Sequence, residues 1–398
     1  MRILFYLPVM TPWWFDNIVL PLIRTLATEA EVHVLAPMPW RNTGIHPNWP
    51  SVGAAPASVR WHIVHDESHP TLRMSPEKPQ ALIDFARSLD ADYTLCRSAD
   101  AVTPSAFPGK VRYMMESSAP PLPGIPRNFM LQEDLLHQGH MPALSAAERE
   151  RIDQTFEEPW SRFQVWFDTH PPFDMTRDQA LAHMGLDTGR KVVALALEYA
   201  NEENFFHIHH GFPDTLELID RLSRQLDDDI VLAVTDHPLN YRYADNSAVY
   251  AAIEALGPRA RLIENDDSSG KATNLLVKHC DGMIVQNSKT IFSAAYFGKP
   301  ILRLSSRRSA SWLNASQEID PFFGQLRSGT APAPSTADAR TWFGLQMMHE
   351  VINPPTLSVG ELVDRVERPF DEERLEAGLK RFETTARAHI QRLSGPSE

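Results

Sequence analysis

Cysteine is nearly absent. The 398 residues hold two, Cys96 and Cys280, far apart and outside any CxxC or Cys/His spacing. This excludes a disulfide-stapled scaffold and a cysteine-built zinc site, and reads as reduced, buried thiols of a cytoplasmic protein. Basic charge is also short, with 38 Lys+Arg against 51 Asp+Glu and a formal net charge of −13. A protein that coats nucleic acid needs a broad basic face, so that class is excluded, whereas a local basic pocket for one phosphate is not. No stretch reaches the roughly 18–20 uninterrupted apolar residues of a membrane-spanning helix. Residues 1–20 are apolar, but Pro8, Pro12 and Asp16 interrupt them and no small-residue cleavage site follows, which argues against a signal peptide. No internal repeat of 20–50 residues is found. What is abundant is proline, 32 residues, well above the usual ~5%. A hydrophobic fraction of 43% with 22% charged residues is globular, and the length fits two domains or one large one.

Short apolar runs alternate with helical periodicity. Residues 2–9 and 31–37 read as buried strands, and Ile18, Leu22, Ile23 and Leu26 recur at helical spacing between them, which makes a βαβ unit. Further strands are expected at 59–64, 92–96 and 111–115, with a helix at 79–89 and a Pro/Gly loop at 120–126. A long amphipathic helix is expected at 146–167, followed by a hinge at Pro171–Pro172. The alternation then restarts, with strands at 191–197, 229–235, 260–264, 282–286 and 300–304 and helices between them. Two helices, 337–350 and 371–393, close the chain. Two α/β halves in series imply two parallel-sheet domains facing a cleft. The expected division is 1–170, an acceptor-binding domain, 171–355, a donor-binding domain, and 356–398, C-terminal helices packing back across the domains. Ligands of such sheets bind beyond the carboxyl ends of the strands, which selects the loops after Val9, Met115, Leu197, Thr235 and Gln286.

Two of these loops carry candidate chemistry. After Thr235 comes Asp236-His237-Pro238. A residue before proline is held extended, so the imidazole projects at the strand end, where it can donate to a phosphate oxygen or simply sit in a turn. In residues 285–302 (VQNSKTIFSAAYFGKPIL), Ser288, Lys289 and Thr290 fall at an expected helix start, which favours an anion but is equally an ordinary N-cap. Gly298-Lys299-Pro300 ends that helix, and Lys299 is also readable as a solvated charge.

An HP step after one strand, then V-x-N-S-x(9)-GKP some fifty residues later, resembles the donor domain of bacterial GT-B glycosyltransferases. It is most similar to the capsule-polysaccharide synthesis family of retaining β-Kdo transferases, over about residues 191–304 and only faintly before them. The resemblance implies a GT-B fold with two Rossmann-like domains and a nucleotide-sugar donor, CMP-Kdo or a similar CMP-sugar. It also implies a glycan or glycolipid acceptor and a cytoplasmic place, soluble or peripheral to the inner membrane. Carried over, the donor contacts are His237, Pro238, Gln286, Asn287, Ser288, Lys289, Thr290 and Lys299. In KVVALALEYANEENFF, Glu198 stands where the family has Gln, and Glu202 falls where its nucleophilic Asp is usual, with Glu203 adjacent. In RYMMESSAPPLPG, Glu116 matches the acid/base of the family's E-x-G-x-L-P. Ile291 and Ser293 replace the family's Gly and Glu inside the GKP helix, which puts ribose contacts in question.

The chemistry stands on its own residues. Breaking a glycosyl–phosphate bond builds negative charge on phosphate, which needs donors such as His237. It builds oxocarbenium character on the sugar, which needs carboxylates such as Glu202 and Glu116. No DxD-type metal site is placed for it, and no cofactor is called for. Trp13, Trp14 and Asp16 in the loop after the first strand suit an acceptor sugar, or form core and a helix cap. His207, His209 and His210 read as a loop lining the donor pocket rather than a zinc site, and Arg307-Arg308 is the one basic step near it. The competing classes are a GT-B-like nucleotide-sugar epimerase, a UDP- or GDP-sugar transferase, and a non-catalytic sugar-binding protein.

Overall fold

The computed structural model describes residues 1–39, 43–46, 48–65, 79–136, 138–201, 204–264, 271–368 and 370–394. The chain forms two compact units. Residues 1–118, 125–136 and 346–378 make the first, and residues 119–124, 137–345 and 379–398 the second.

The first unit holds a six-stranded sheet: β1 (Arg2–Tyr6), β2 (Glu31–Pro37), β3 (Arg60–Val64), β4 (Tyr93–Cys96), β5 (Lys110–Glu116) and β6 (Phe129–Gln132). Their order is β3-β2-β1-β4-β5-β6. The first five are parallel and β6 is antiparallel to β5, Glu116 pairing with Phe129. Parallel strands are covered on both faces and so read as apolar runs. Ile3, Phe5, Val32 and Val34 pack in one core with Leu22, Ile23 and Leu26 of the helix Leu20–Leu26. The expected strands are present, and β6 is an addition that the proline-rich surroundings hid.

The second unit holds β7 (Lys191–Ala196), β8 (Ile230–Thr235), β9 (Ala260–Ile263), β10 (Gly282–Val285) and β11 (Ile301–Arg303), all parallel, in the order β11-β10-β7-β8-β9. In each sheet the first strand is central, and the chain builds outwards on one side before crossing to the other. The direction of winding therefore reverses between β1 and β4, and between β7 and β10. There the loops at the carboxyl edge diverge and leave a crevice.

One expected placement is corrected. The long helix, observed as Ala146–Thr169, groups with the second unit and not with the first. Its start is fixed by a Ser145/Glu148 capping box. Its face is fixed by aromatic packing of Trp160 on Tyr296 (4.5 Å) and Phe343 (5.7 Å). Arg340 adds a two-pronged bond to Asp153, at 2.5 Å on each side. Amphipathicity shows that a face is buried but not which sheet buries it.

His279 ends the helix Lys271–His279 with 9% exposure, and its buried Nε2 has no hydrogen-bond partner among the described residues. Burial, and then the charges of Lys278, Lys299 and Arg177, lower its pKa to about 4. The folded state thus excludes a proton that the unfolded chain takes up below its pKa of ~6.5. Stability is full above that value and declines as pH falls towards 4. We expect wild type to lose about 2–3 kcal/mol more than His279→Gln between pH 7 and pH 4.5 in urea unfolding. Equal losses in the two proteins would refute a neutral His279.

Candidate functional site

The β7/β10 crevice contains a cavity of about 260 Å³ in the second unit. Its walls come from the end of β7 through Asn201, from Gln286 after β10, and from the His207–His210 turn. Glu198, just past β7, reaches across the crevice. Its Oε1 accepts the backbone N–H of Ser288 at 2.8 Å and that of Asn287, while its Oε2 lies 3.1 Å from His210 Nε2. The two side chains are 13% and 8% exposed. A carboxylate at such a depth needs several donors, and it has three.

This changes the part expected of residues 286–290. The helix after β10 is six residues, Ile291–Tyr296, with Thr290 as an N-cap whose side chain makes no capping bond. The N–H groups of Asn287 and Ser288, expected to meet a phosphate, are engaged by Glu198. The Asn287 side chain bonds the Ser305 hydroxyl at 2.6 Å, and the Gln286 side chain accepts the N–H of Phe212 at 2.9 Å. Thr290 donates its hydroxyl to Ser288 Oγ at 2.9 Å, and Lys289 is half-buried in the same turn. The Arg307 backbone N–H joins this group through Ser305 Oγ at 3.1 Å.

The His207–His210 segment is a 3-10 turn (Phe205–His209) laid against the strand ends. Gly211 N–H bonds Leu304 O at 2.9 Å, and a Cβ at Gly211 would stand 3.0 Å from that oxygen, a tight contact that a side chain makes only if the strand end shifts by a few tenths of an ångström. His207 donates from Nδ1 to Asn204 O at 2.5 Å. His207 and His210 line the cavity. No group of three or more potential metal ligands occurs among the described residues.

His237 follows β8 at the cavity's flank. Its ring lies 5.5 Å from that of Tyr199, which lines the cavity. Its Nδ1 accepts the Leu239 N–H at 3.2 Å, so the neutral ring carries its proton on Nε2. Pro238 is half-buried beside it. Glu202 and Glu203 lie outside the described residues.

Lys299 is not part of this group. The helix Ile291–Tyr296 runs back along the sheet, so Lys299 arrives at the amino edge, where its charge acts on His279 and Cys280. A GKP step after a helix start reads as one motif in sequence, yet the helix separates its ends by about 9 Å.

The first unit has a corresponding group at β1/β4. Thr11 caps the short turn Pro12–Trp14, the role left open for Asp16, which is exposed. Trp14 is buried, whereas Trp13 is 54% exposed. The Arg97 guanidinium, one residue past β4, lies 3.6 Å from the Trp14 ring centroid and donates to Met114 O at 3.2 Å. Burial lowers the Arg97 pKa to about 10, and the charge of Glu116, at the end of β5, opposes that shift. Trp14 thus carries a cation on one face, so within the pair Trp13 offers the open surface. Arg97 was not singled out from sequence, because nothing there shows that the loops after β1 and β4 are neighbours.

No family model matches the sequence, and no curated protein matches it. Solved structures to which the chain is similar include Thermosulfurimonas dismutans KpsC β Kdo 2,4 transferase, with TM-score 0.42 and 10% identity over 92% of this chain and 98% of that one. The β Kdo 2,7 transferase of the same KpsC aligns with TM-score 0.41 and 11% identity over 77% and 92%. UDP-GlcNAc 2-epimerase from Neisseria meningitidis, bound to UDP-GlcNAc, aligns with TM-score 0.32 and 13% identity over 85% and 97%. At these identities and scores none of them assigns a residue role or a substrate here.

The Glu198 bridge has a measurable consequence. Glu198→Ala strands two backbone N–H groups at about 1–3 kcal/mol for each one left unpaired. Calorimetry should show the melting of the second unit lowered by several degrees, by roughly 5 °C or more. Glu198→Gln keeps one acceptor oxygen and should fall between. A wild-type melting temperature for Glu198→Ala would show that the bridge carries no stability.

Proposed function

We propose that the chain is a glycosyltransferase that moves a sugar from a nucleotide-activated donor to a glycan acceptor without a metal ion. A CMP-sugar such as CMP-Kdo is the favoured donor, and bacterial surface polysaccharide is the favoured setting. The observation that carries this reading is His237, held at a strand end beside a polar cavity at the β7/β10 crevice. The resemblance of residues 191–304 adds the donor class.

On this reading the donor phosphate is met by side chains rather than by the N–H groups that Glu198 occupies. His237 Nε2–H donates to the phosphate oxygen on which charge develops as the glycosyl bond breaks. The Ser288 and Thr290 hydroxyls and Lys289, on the loop after β10, are the further donors that the resemblance assigns to it. Glu202, in the role that the resemblance implies, attacks the sugar as the nucleotide phosphate leaves, and the acceptor oxygen then displaces Glu202 while its proton passes to Glu116. Arg97 is the cation whose charge interacts with Glu116.

Incubation with CMP-, UDP- and GDP-sugars tests this. Release of CMP with glycosylated acceptor supports it, an isomerised donor instead identifies an epimerase, and preferential thermal stabilisation by UDP overturns the CMP assignment. His237→Ala should lower kcat by about 100-fold or more while unfolding as wild type does. Unchanged turnover in that variant removes His237 from the chemistry.

A further inference from the structure

Asp236 is an ionisable side chain to which the proposed chemistry gives no task. It is 2% exposed, at the end of β8. Its carboxylate accepts the N–H of His237 at 2.7 Å, the Asn240 side-chain amide at 2.6 Å, the Asn246 amide at 3.1 Å and the Tyr250 hydroxyl. Four donors offset the cost of burying the charge. They also fix its position, because losing any one leaves a buried polar group unpaired.

Asn240 is the link that makes this more than a local turn. It is 1% exposed and uses both ends of its amide. Its Nδ2 donates to Asp236 and also to Glu198 O at 2.9 Å, and its Oδ1 accepts the N–H of Ala200 at 2.9 Å. The first partner belongs to the loop after β8, and the other two to the loop after β7. Glu198 then carries the connection on to Asn287 and Ser288 after β10. Three strand ends are joined by side-chain hydrogen bonds, and the middle segment is a wall of the cavity. If Asp236 served only to anchor the helix Ser247–Ala255, its bonds to Asn246 and Tyr250 would suffice. The Asn240 bonds to residues 198 and 200 add nothing to that helix.

We infer that Asp236 and Asn240 are positioning residues that hold His237 and the cavity wall 198–201 in one register. The kinetic part of this inference rests on the glycosyltransferase reading, whereas its structural part does not. A group that donates to a developing charge acts only from a fixed place, and displacement of about 1 Å costs up to ~100-fold in rate.

Hydrogen–deuterium exchange of the full chain tests the structural part. Asn240→Ala should raise exchange at residues 198–201 by roughly tenfold, with the helix Ser247–Ala255 unchanged. Wild-type exchange at 198–201 would overturn the link. The kinetic part is tested with the CMP-sugar panel. Asn240→Ala should lower kcat about tenfold or more with KM for the donor within about threefold. Asp236→Asn, which keeps an oxygen for His237 N–H, should retain at least about tenfold more activity than Asp236→Ala. Raised exchange with unchanged kcat would overturn the positioning role. A wild-type protein that turns over no nucleotide-sugar would defeat the glycosyltransferase reading, while the exchange result would still decide the link.

Discussion

The carboxylate of Glu198 closes the gap that the strand order of the second unit creates. Because β8 and β9 are laid down on one side of β7 and β10 on the other, the loops leaving β7 and β10 part at the carboxyl edge. Left alone, the N–H groups of Asn287 and Ser288 would face that opening without partners, at a cost comparable to lost hydrogen bonds. Glu198 satisfies both and takes His210 on its other oxygen. The histidine turn and the turn before the helix Ile291–Tyr296 thus meet on one side chain of the cavity wall.

The first unit answers the same topological problem with the opposite charge. Its gap lies between β1 and β4, and the group beside it is Arg97, lodged over Trp14 and near Glu116. Guanidinium suits this place because its flat, weakly hydrated face stacks on an indole while an edge N–H reaches Met114 O. An ammonium is a compact point charge without a flat face to stack on the indole while an edge reaches the carbonyl. Burial lowers the pKa of Arg97 only to about 10, so the group stays charged at neutral pH and a nearby carboxylate feels it.

What the sequence displayed follows from how each feature is encoded. The strands were legible because both faces of a parallel sheet are covered, and a covered strand is an unbroken apolar run, as in Val192–Leu195 or Ile230–Val234. His237 was legible because proline after a strand end leaves a local mark. The Glu198 bridge was not, since its partners lie some ninety residues away and their adjacency depends on the order in which strands pair. Arg97 and Asn240 were hidden for the same reason. Lys299 misled because a short motif keeps its spelling while a helix of two turns separates its ends. The long helix Ala146–Thr169 displayed its apolar face but not the identity of the sheet beneath it.

The way the buried charges are balanced bears on what the cavity accepts. Among the described residues neither Glu198 nor Asp236 forms an ion pair with lysine or arginine; both are held by N–H and O–H donors and, for Glu198, by an imidazole. Neutral dipoles fix a carboxylate's position without cancelling its charge. Glu198 lines the cavity, so a phosphate placed against it would meet a carboxylate rather than a donor. On the proposed reading, the donor's anion belongs at the flank, with His237. The hydroxyl-bearing part of the donor belongs against Glu198, whose oxygens can accept from it.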